Sequence, residues 1–357
     1  MVPKIGYNSA AGSLVSQTAD SPGQRTLNSV QHPHPLLYRD GGPAAFAGGT
    51  VIMKPLQTSS GDLNADRRAD YAEMLFASGD STAAAELLLG ALELAPQWSM
   101  GWFRLGEMQE ISGRLDLAGQ AWAMSLKLDP ADRQGAALKL QLIGRAPVAA
   151  APPSAFVEAL FDHYAETFEE MLVGKLAYRI PEFLEQMIRK ARPGRFRLAL
   201  DLGCGTGLMG ERLRPIVDRL EGVDISARML KKARAKGIYH TLTKADLQGF
   251  SHSGERPDLV TSADVLIYIG ALDGLVGTVA GLLAEGGLFA FSVETLADDG
   301  DFALQPSRRY AHSQPYVRRT LEANGLAILA LEPTTIRQDR REPVKGLGVV
   351  AWKPHAA

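Results

Sequence analysis

The 357-residue sequence contains a single cysteine, Cys204, so no disulfide can close within the chain, and a reducing, cytoplasmic setting is the expectation. It has no run approaching the ~18 consecutive apolar residues that a membrane-spanning helix needs. Behind Lys4 there is no apolar core of ~7–15 residues, so a secretory signal is not expected either. Neither sign of charge is in excess: 38 basic and 40 acidic side chains leave a formal charge of −2, which gives no electrostatic reason to expect a nucleic-acid partner. No His, Cys and carboxylate cluster has the spacing of a metal site. What is present is ordinary globular material, 46% hydrophobic and 22% charged, which excludes wholesale disorder, and the length suits two or three domains.

The chain divides into regions of different texture. Residues 1–52 hold five prolines, seven glycines and only five charged side chains, without a sustained period. Such a segment buries too little apolar surface to offset ~1–2 kcal/mol of backbone entropy per residue, so it is read as disordered, or as untranslated if Met53 is the true start. Residues 62–143 read as helices, with Leu105, Met108, Leu115, Ala118, Trp122 and Leu126 at three- and four-residue steps. The segment also repeats itself at 34 residues: Pro96 and Pro130, Gly79 and Gly113, Ala84 and Ala118, Leu88 and Trp122. Residues 144–154 form a Pro/Ala linker, semi-rigid by composition. From 155 to 354 strand and helix patterns alternate, which predicts a mostly parallel sheet with helices on both faces. The strands are read at 197–202, 219–225, 239–246, 257–264, 287–294, 326–333 and 347–352, the last two too close for a crossover and therefore antiparallel.

One segment carries most of the chemistry. In Leu198–Gly210, LALDLGCGTGLMG, an apolar strand ends at Asp201 and gives way to Gly203, Gly205 and Gly207. Glycines there permit a tight turn and let a ligand lie against the backbone. Gly205, Gly207 and Gly210 match a dinucleotide string, but the first glycine should follow the strand directly, and counting from Gly203 puts Leu208 at the sixth position. A carboxylate at Asp201 would also repel a pyrophosphate, whereas it suits a ligand with a positive amino group. The second strand ends at Asp224-Ile225, 23 residues beyond Asp201, where an acid can accept both hydroxyls of a ribose or simply cap a loop. The third ends at Asp246-Leu247, and the fourth at Ala263-Asp264, a tip that should reach the reaction cleft.

These residues resemble motif I and the following strand tips of class I S-adenosylmethionine-dependent methyltransferases, over roughly residues 155–354. The 34-residue period, with Trp102, Leu105, Gly106, Ala118, Trp122 and Pro130, resembles the tetratricopeptide (TPR) repeat. Together they resemble predicted methyltransferases with N-terminal TPR repeats. The fold implied is a seven-stranded Rossmann-like methyltransferase sheet with an antiparallel last strand, preceded by a small all-α TPR-like module. The cofactor implied is S-adenosyl-L-methionine: Asp201, Gly203, Gly205 and Gly207 would hold its methionine part, Asp224 and Ile225 the ribose, Asp246 and Leu247 the adenine, with Asp264 at the cleft. Tyr164 and Phe168, on a helix before the first strand, would close over it.

The acceptor is not legible; it is either a small molecule or a protein, and the repeats either dock a protein partner or only stabilise. Two other readings stay open, a scaffold that has lost turnover and a nicotinamide oxidoreductase in the Gly205 register. Residues 304–313 read as a polar loop at the carboxyl end of the sheet, where Tyr310 and His312 are candidates to take a proton from the acceptor. The Asn/Asp-Pro-Pro-aromatic string of the family's amino-directed DNA and glutamine methyltransferases is absent, and with no cysteine outside motif I a thiolate intermediate for cytosine C5 methylation has no source.

Overall fold

In the computed structural model, residues 59–298, 300–339 and 342–355 are described; the disorder and start-site expectations for residues 1–52 fall outside them. The amino-terminal helices are α1 (Leu63–Ala77), α2 (Ser81–Leu94), α3 (Ser99–Ile111), α4 (Leu115–Leu128) and α5 (Ala136–Leu142). Asp62 and Asp80 cap the first two, their carboxylates accepting from the N–H groups of Asn64 and Ala65 and of Ala83. α1 and α2 meet through Ala65, Ala69, Ala72, Ala84, Ala85 and Ala91, small side chains that let the axes approach closely. α3 and α4 meet where Trp122 lies on Gly106: a Cβ on that glycine would stand 2.3 Å from the indole nitrogen, which donates to the Phe103 carbonyl at 3.2 Å. Arg104 ties α3 to α1 through two hydrogen bonds to Glu73, at 2.6 and 2.7 Å.

The Pro/Ala segment is not a free spacer. The Ala150 carbonyl accepts from both Gly270 and Ala271 N–H at 2.8 Å, and Ala149 N–H donates to Gln141 Oε1. The segment expected as a semi-rigid linker thus has fixed contacts, its small side chains letting the backbone itself seat against the α/β part.

That part runs α6 (Ser154–Tyr164), a π-helical turn (Glu170–Lys175), α7 (Ile180–Ala191), β1 (Phe196–Leu202), α8 (Leu208–Leu213), β2 (Val217–Asp224), α9 (Ala227–Ala235), β3 (Thr241–Lys244), β4 (Leu259–Ser262), α10 (Asp273–Leu282), β5 (Leu288–Thr295), β6 (Phe302–Leu304), β7 (Tyr310–His312), α11 (Gln314–Ala323), β8 (Ala327–Asp339) and β9 (Glu342–Trp352). The main sheet has the order β3-β2-β1-β4-β5-β9-β8, parallel as far as β5 and antiparallel at β9 and β8. β1, β4 and β5 are buried almost throughout because helices cover both faces. One face packs Leu200, Val260, Phe289 and Phe291 under α10 and α11; the other packs Ala199, Leu259, Leu288 and Val350 under α7 and α8.

Among the described residues the sheet has nine strands rather than seven. Residues 304–313 belong to a hairpin, β6–β7, in which β7 pairs parallel with Glu294 and Thr295 at the end of β5. Glu294 is already bonded on its other side to Gly346 of β9, so the hairpin lies on β4's side, beyond the point where β4 stops. Three-residue strands between turn residues carry almost no period, which is why this region reads as loop in the sequence.

Candidate active site

The carboxyl ends of β1, β2 and β4 surround a cleft of about 150 Å3. Gly203, Gly205, Asp224, Ile225, Asp246, Leu247 and Asp264 line it, so the structure brings these sequence candidates together. Gly203 has φ +69°, and a Cβ there would meet Val265 at 2.4 Å, so only glycine fits this turn. A Cβ on Gly205 would have nothing closer than Phe168 at 4.0 Å, which leaves open space beside its backbone. Asp224 braces the loop: its Oδ2 accepts from Gly205 N–H and its Oδ1 from Ser226 N–H, both at 2.8 Å. Burial pushes its pKa up to about 6 against the lowering pull of these bonds. Asp246 accepts from Gln248 N–H at 2.9 Å and from the Ser154 hydroxyl.

Three expected contacts are corrected. Asp201 is 1% exposed behind the glycine loop, its carboxylate accepting from the Tyr239 hydroxyl at 2.7 Å and the Thr261 hydroxyl at 2.8 Å, and it does not line the cleft. Gly207, φ +97°, faces Tyr239 instead of the cleft. Tyr164 packs beside Phe156 and Leu160 with a buried hydroxyl that has no partner among the described residues; Val157, Phe161 and Phe168 take the covering position. Gly210, which completed the dinucleotide string, has a packing role: a Cβ there would fall 2.2 Å from the Tyr239 oxygen that reaches Asp201.

The two acid–base candidates are corrected as well. Tyr310 and His312, the two ends of β7, are fully buried and line no part of the cleft. His312 Nε2 lies 2.9 and 3.0 Å from the carbonyls of Ile269 and Gly270, so that nitrogen carries the proton. Burial lowers the His312 pKa to about 4, which leaves the ring neutral and without access to an acceptor.

Sequence reasoning missed the cationic side of the cleft. Arg337 of β8, 3% exposed, pairs with Glu294 and lies 3.4 Å from Asp264 Oδ2. Asp264 has a left-handed backbone, φ +59°, and donates its N–H to Ser292 Oγ at 2.8 Å. Its Oδ1 is buried with no partner among the described residues, and burial raises its pKa despite Arg337. Arg309 at the hairpin and Tyr268 after β4 complete this side, with Arg309 Nε donating to the Tyr268 oxygen at 3.2 Å. Arg337 lies beside the buried Ile336, where the strand register slips between Thr335 and Arg337, a placement the sequence does not signal.

Above the cleft, α6 is tied to the sheet by Asp162 to Ser226 Oγ at 2.5 Å and Lys244 to Glu158 at 2.6 Å. Phe161 meets Tyr268 edge-on at 5.2 Å. Cys204 is 5% exposed and burial holds its thiol well above its usual pKa, so it supplies no thiolate. Among the described residues no group of three or more His, Cys, Asp or Glu is placed to hold a metal, and no helix is long and apolar enough to cross a membrane.

Comparison with known proteins gives the class. Residues 172–330 match a family model described as a methyltransferase domain. Methyltransferase-like protein 27 of Homo sapiens is 36% identical over 122 residues, covering 32% of this chain and 47% of that protein. The malonyl-[acyl-carrier protein] O-methyltransferase of Enterobacter lignolyticus is 30% identical over 132 residues, covering 37% of this chain and 52% of that protein. Among solved structures, the N-methyltransferase NodS of Bradyrhizobium japonicum, in complex with S-adenosyl-L-homocysteine, is 23% identical with a TM-score of 0.40, covering 49% of this chain and 87% of that one. The chain spans about half the length of the curated relatives it matches. Over residues 172–330 the chain carries a methyltransferase domain.

Proposed function

We propose that the whole chain transfers a methyl group from S-adenosylmethionine to an acceptor bound on the Arg309 side of the cleft. The observation that carries this is the convergence of Asp224, Asp246 and Asp264 on one cleft beside the open backbone of Gly205. Asp224 would accept the ribose hydroxyls, Asp246 and Leu247 the adenine, and the unpartnered Asp264 Oδ1 the ammonium group. Bound there, the cofactor supplies a methyl on a sulfonium, a good leaving group. The chain's residues then have to hold acceptor and methyl in line, an effect that supplies ~7–11 kcal/mol, and to keep water out, which Val157, Phe161 and Phe168 are placed to do. Neither Tyr310 nor His312 serves as base; a proton from the acceptor would pass to Asp264 or leave with solvent.

The amino-terminal hairpins are read here as TPR-like repeats that stabilise the α/β part, in a cytoplasmic protein. A nicotinamide cofactor is disfavoured by Gly210, whose open side is filled by Tyr239. Calorimetry should show S-adenosylmethionine and its demethylated product binding, and NAD not binding. Asp224→Asn should weaken both by ~1–3 kcal/mol. Preferential NAD binding, or no binding of either sulfur compound, refutes the reading.

A further inference from the structure

The cleft contains two arginines in unlike circumstances. Arg337 is neutralised: Glu294 holds one terminal nitrogen and Asp264 lies 3.4 Å from the other. Arg309 has no carboxylate within ion-pair distance among the described residues; its one side-chain hydrogen bond runs from Nε to the Tyr268 oxygen, and its outer nitrogens are left to the cleft. A guanidinium keeps its charge at any physiological pH, and its outer edge is a planar fork that fits a carboxylate with two parallel hydrogen bonds. The walls beside it, Phe161, Tyr268 and Ile269, offer no second cation to balance a dianion.

Position separates Arg309 from the cofactor cradle. Gly203, Asp224 and Asp246 stand at the ends of β1, β2 and near β3, whereas Arg309 immediately precedes β7, the strand that pairs with the end of β5. The two sets flank Asp264 from opposite sides.

The residue before it explains how such a hairpin is kept in place. Arg308 has a left-handed backbone, φ +62°, which turns successive side chains in different directions. Its guanidinium lies 5.1 Å over the Phe156 ring of α6 and reaches the helical module, 6.0 Å from the Phe103 ring, with Nη1 donating to the Gln134 carbonyl at 3.1 Å. The hairpin tip is thus gripped by α3 and the turn before α5, one residue from the cation in the cleft.

Resting on the methyltransferase reading above, we propose that Arg309 anchors a carboxylate of the methyl acceptor and that the helical module positions it through Arg308. The test uses the full chain saturated with S-adenosylhomocysteine. Short aliphatic and aromatic carboxylic acids, their primary amides, and inorganic and alkyl phosphates are titrated by calorimetry. Acids should bind and the matching amides should not. Arg309→Gln should weaken acid binding at least tenfold and leave S-adenosylhomocysteine affinity within twofold, with Arg309→Lys intermediate. Arg308→Ala should weaken acid binding severalfold with the nucleoside affinity again unchanged, a split that general destabilisation would not produce.

Equal binding of amides, preference for phosphate, or an unaffected Arg309→Gln variant overturns the proposal. So does a loss of S-adenosylhomocysteine affinity in Arg309→Gln, since the arginine would then serve the cofactor's own carboxylate. A chain that binds S-adenosylhomocysteine but none of the acids refutes the anchor alone; failure to bind S-adenosylhomocysteine refutes the methyltransferase reading instead.

Discussion

Asp201→Asn should make the protein more stable at neutral pH. The carboxylate is 1% exposed and receives two hydroxyl hydrogen bonds, yet burial outweighs them and raises its pKa from 3.8 to about 6. Since the folded pKa lies above the unfolded one, folding favours the protonated acid. Stability from this group is therefore full below about pH 4, declines as pH rises through 4 to 6, and is lost above. Two pH units correspond to ~3 kcal/mol. An asparagine of the same shape can accept from Thr261 and donate to the Tyr239 oxygen, whose hydroxyl rotates to suit, so it removes the buried charge and keeps the contacts. Part of the ~3 kcal/mol returns as imperfect geometry, leaving a gain of ~1–3 kcal/mol at pH 7.5, or several degrees in melting temperature. The assay is thermal unfolding of both proteins from pH 4 to 8. The gap between them should open across pH 4–6 and stay constant above. A variant that melts lower than wild type at pH 7.5, with no pH-dependent gap, refutes the account and means that the ionised form is the one the fold stabilises.

Three further outcomes are expected. His312→Ala should cost ~1–3 kcal/mol through the two carbonyls it strands; because its folded pKa of about 4 lies below the unfolded value, the stability it contributes is full above pH 6.5 and lost as pH falls toward 4, which urea unfolding at pH 5 and 7.5 would show. Gly210→Ala should displace Tyr239 from Asp201 and lower stability by ~1–3 kcal/mol, and its effect should shrink in a Tyr239→Phe background, which a double-mutant cycle in denaturant measures. Gly106→Ala should drive Trp122 off its seat and lower stability by a similar ~1–3 kcal/mol, visible as a shift in indole fluorescence together with an earlier unfolding midpoint.

The parallel core was legible because β1, β4 and β5 are apolar runs bounded by turn residues, and an acid stands at the end of β2 and two residues beyond β3 and β4. Asp224, Asp246 and Asp264 were found that way, from position alone. Asp201 shows the limit of that logic. Sequence places it at a strand tip, but whether the side chain turns outward or back depends on Tyr239 and Thr261, 38 and 60 residues away. Tyr310 and His312 misled for a related reason: a polar composition predicts exposure, while the three-residue strand β7 of the hairpin buries both. Arg309 and Arg337 became visible as a pair only when the pairing of β5 with β7 on one side and, through β9, with β8 on the other brought them to the same end of the sheet. The 34-residue period foretold two helix pairs, but nothing in it indicated that Phe103 and Gln134 would receive an arginine from the far half of the chain.

The double hydrogen bond at Ala150 bears on how this chain can be divided or recombined. The Gly270 and Ala271 N–H groups lie directly after β4's Tyr268 turn, so the segment joining the two halves fills a place in the second half's own hydrogen-bonding pattern. Cutting there would strand two donors beside the cleft and expose the Phe156 face. The helical half is for that reason not an interchangeable cassette: a different repeat array fused at the same point would have to supply a carbonyl in that position and a seat for Arg308, or the graft would unsettle the cleft from behind.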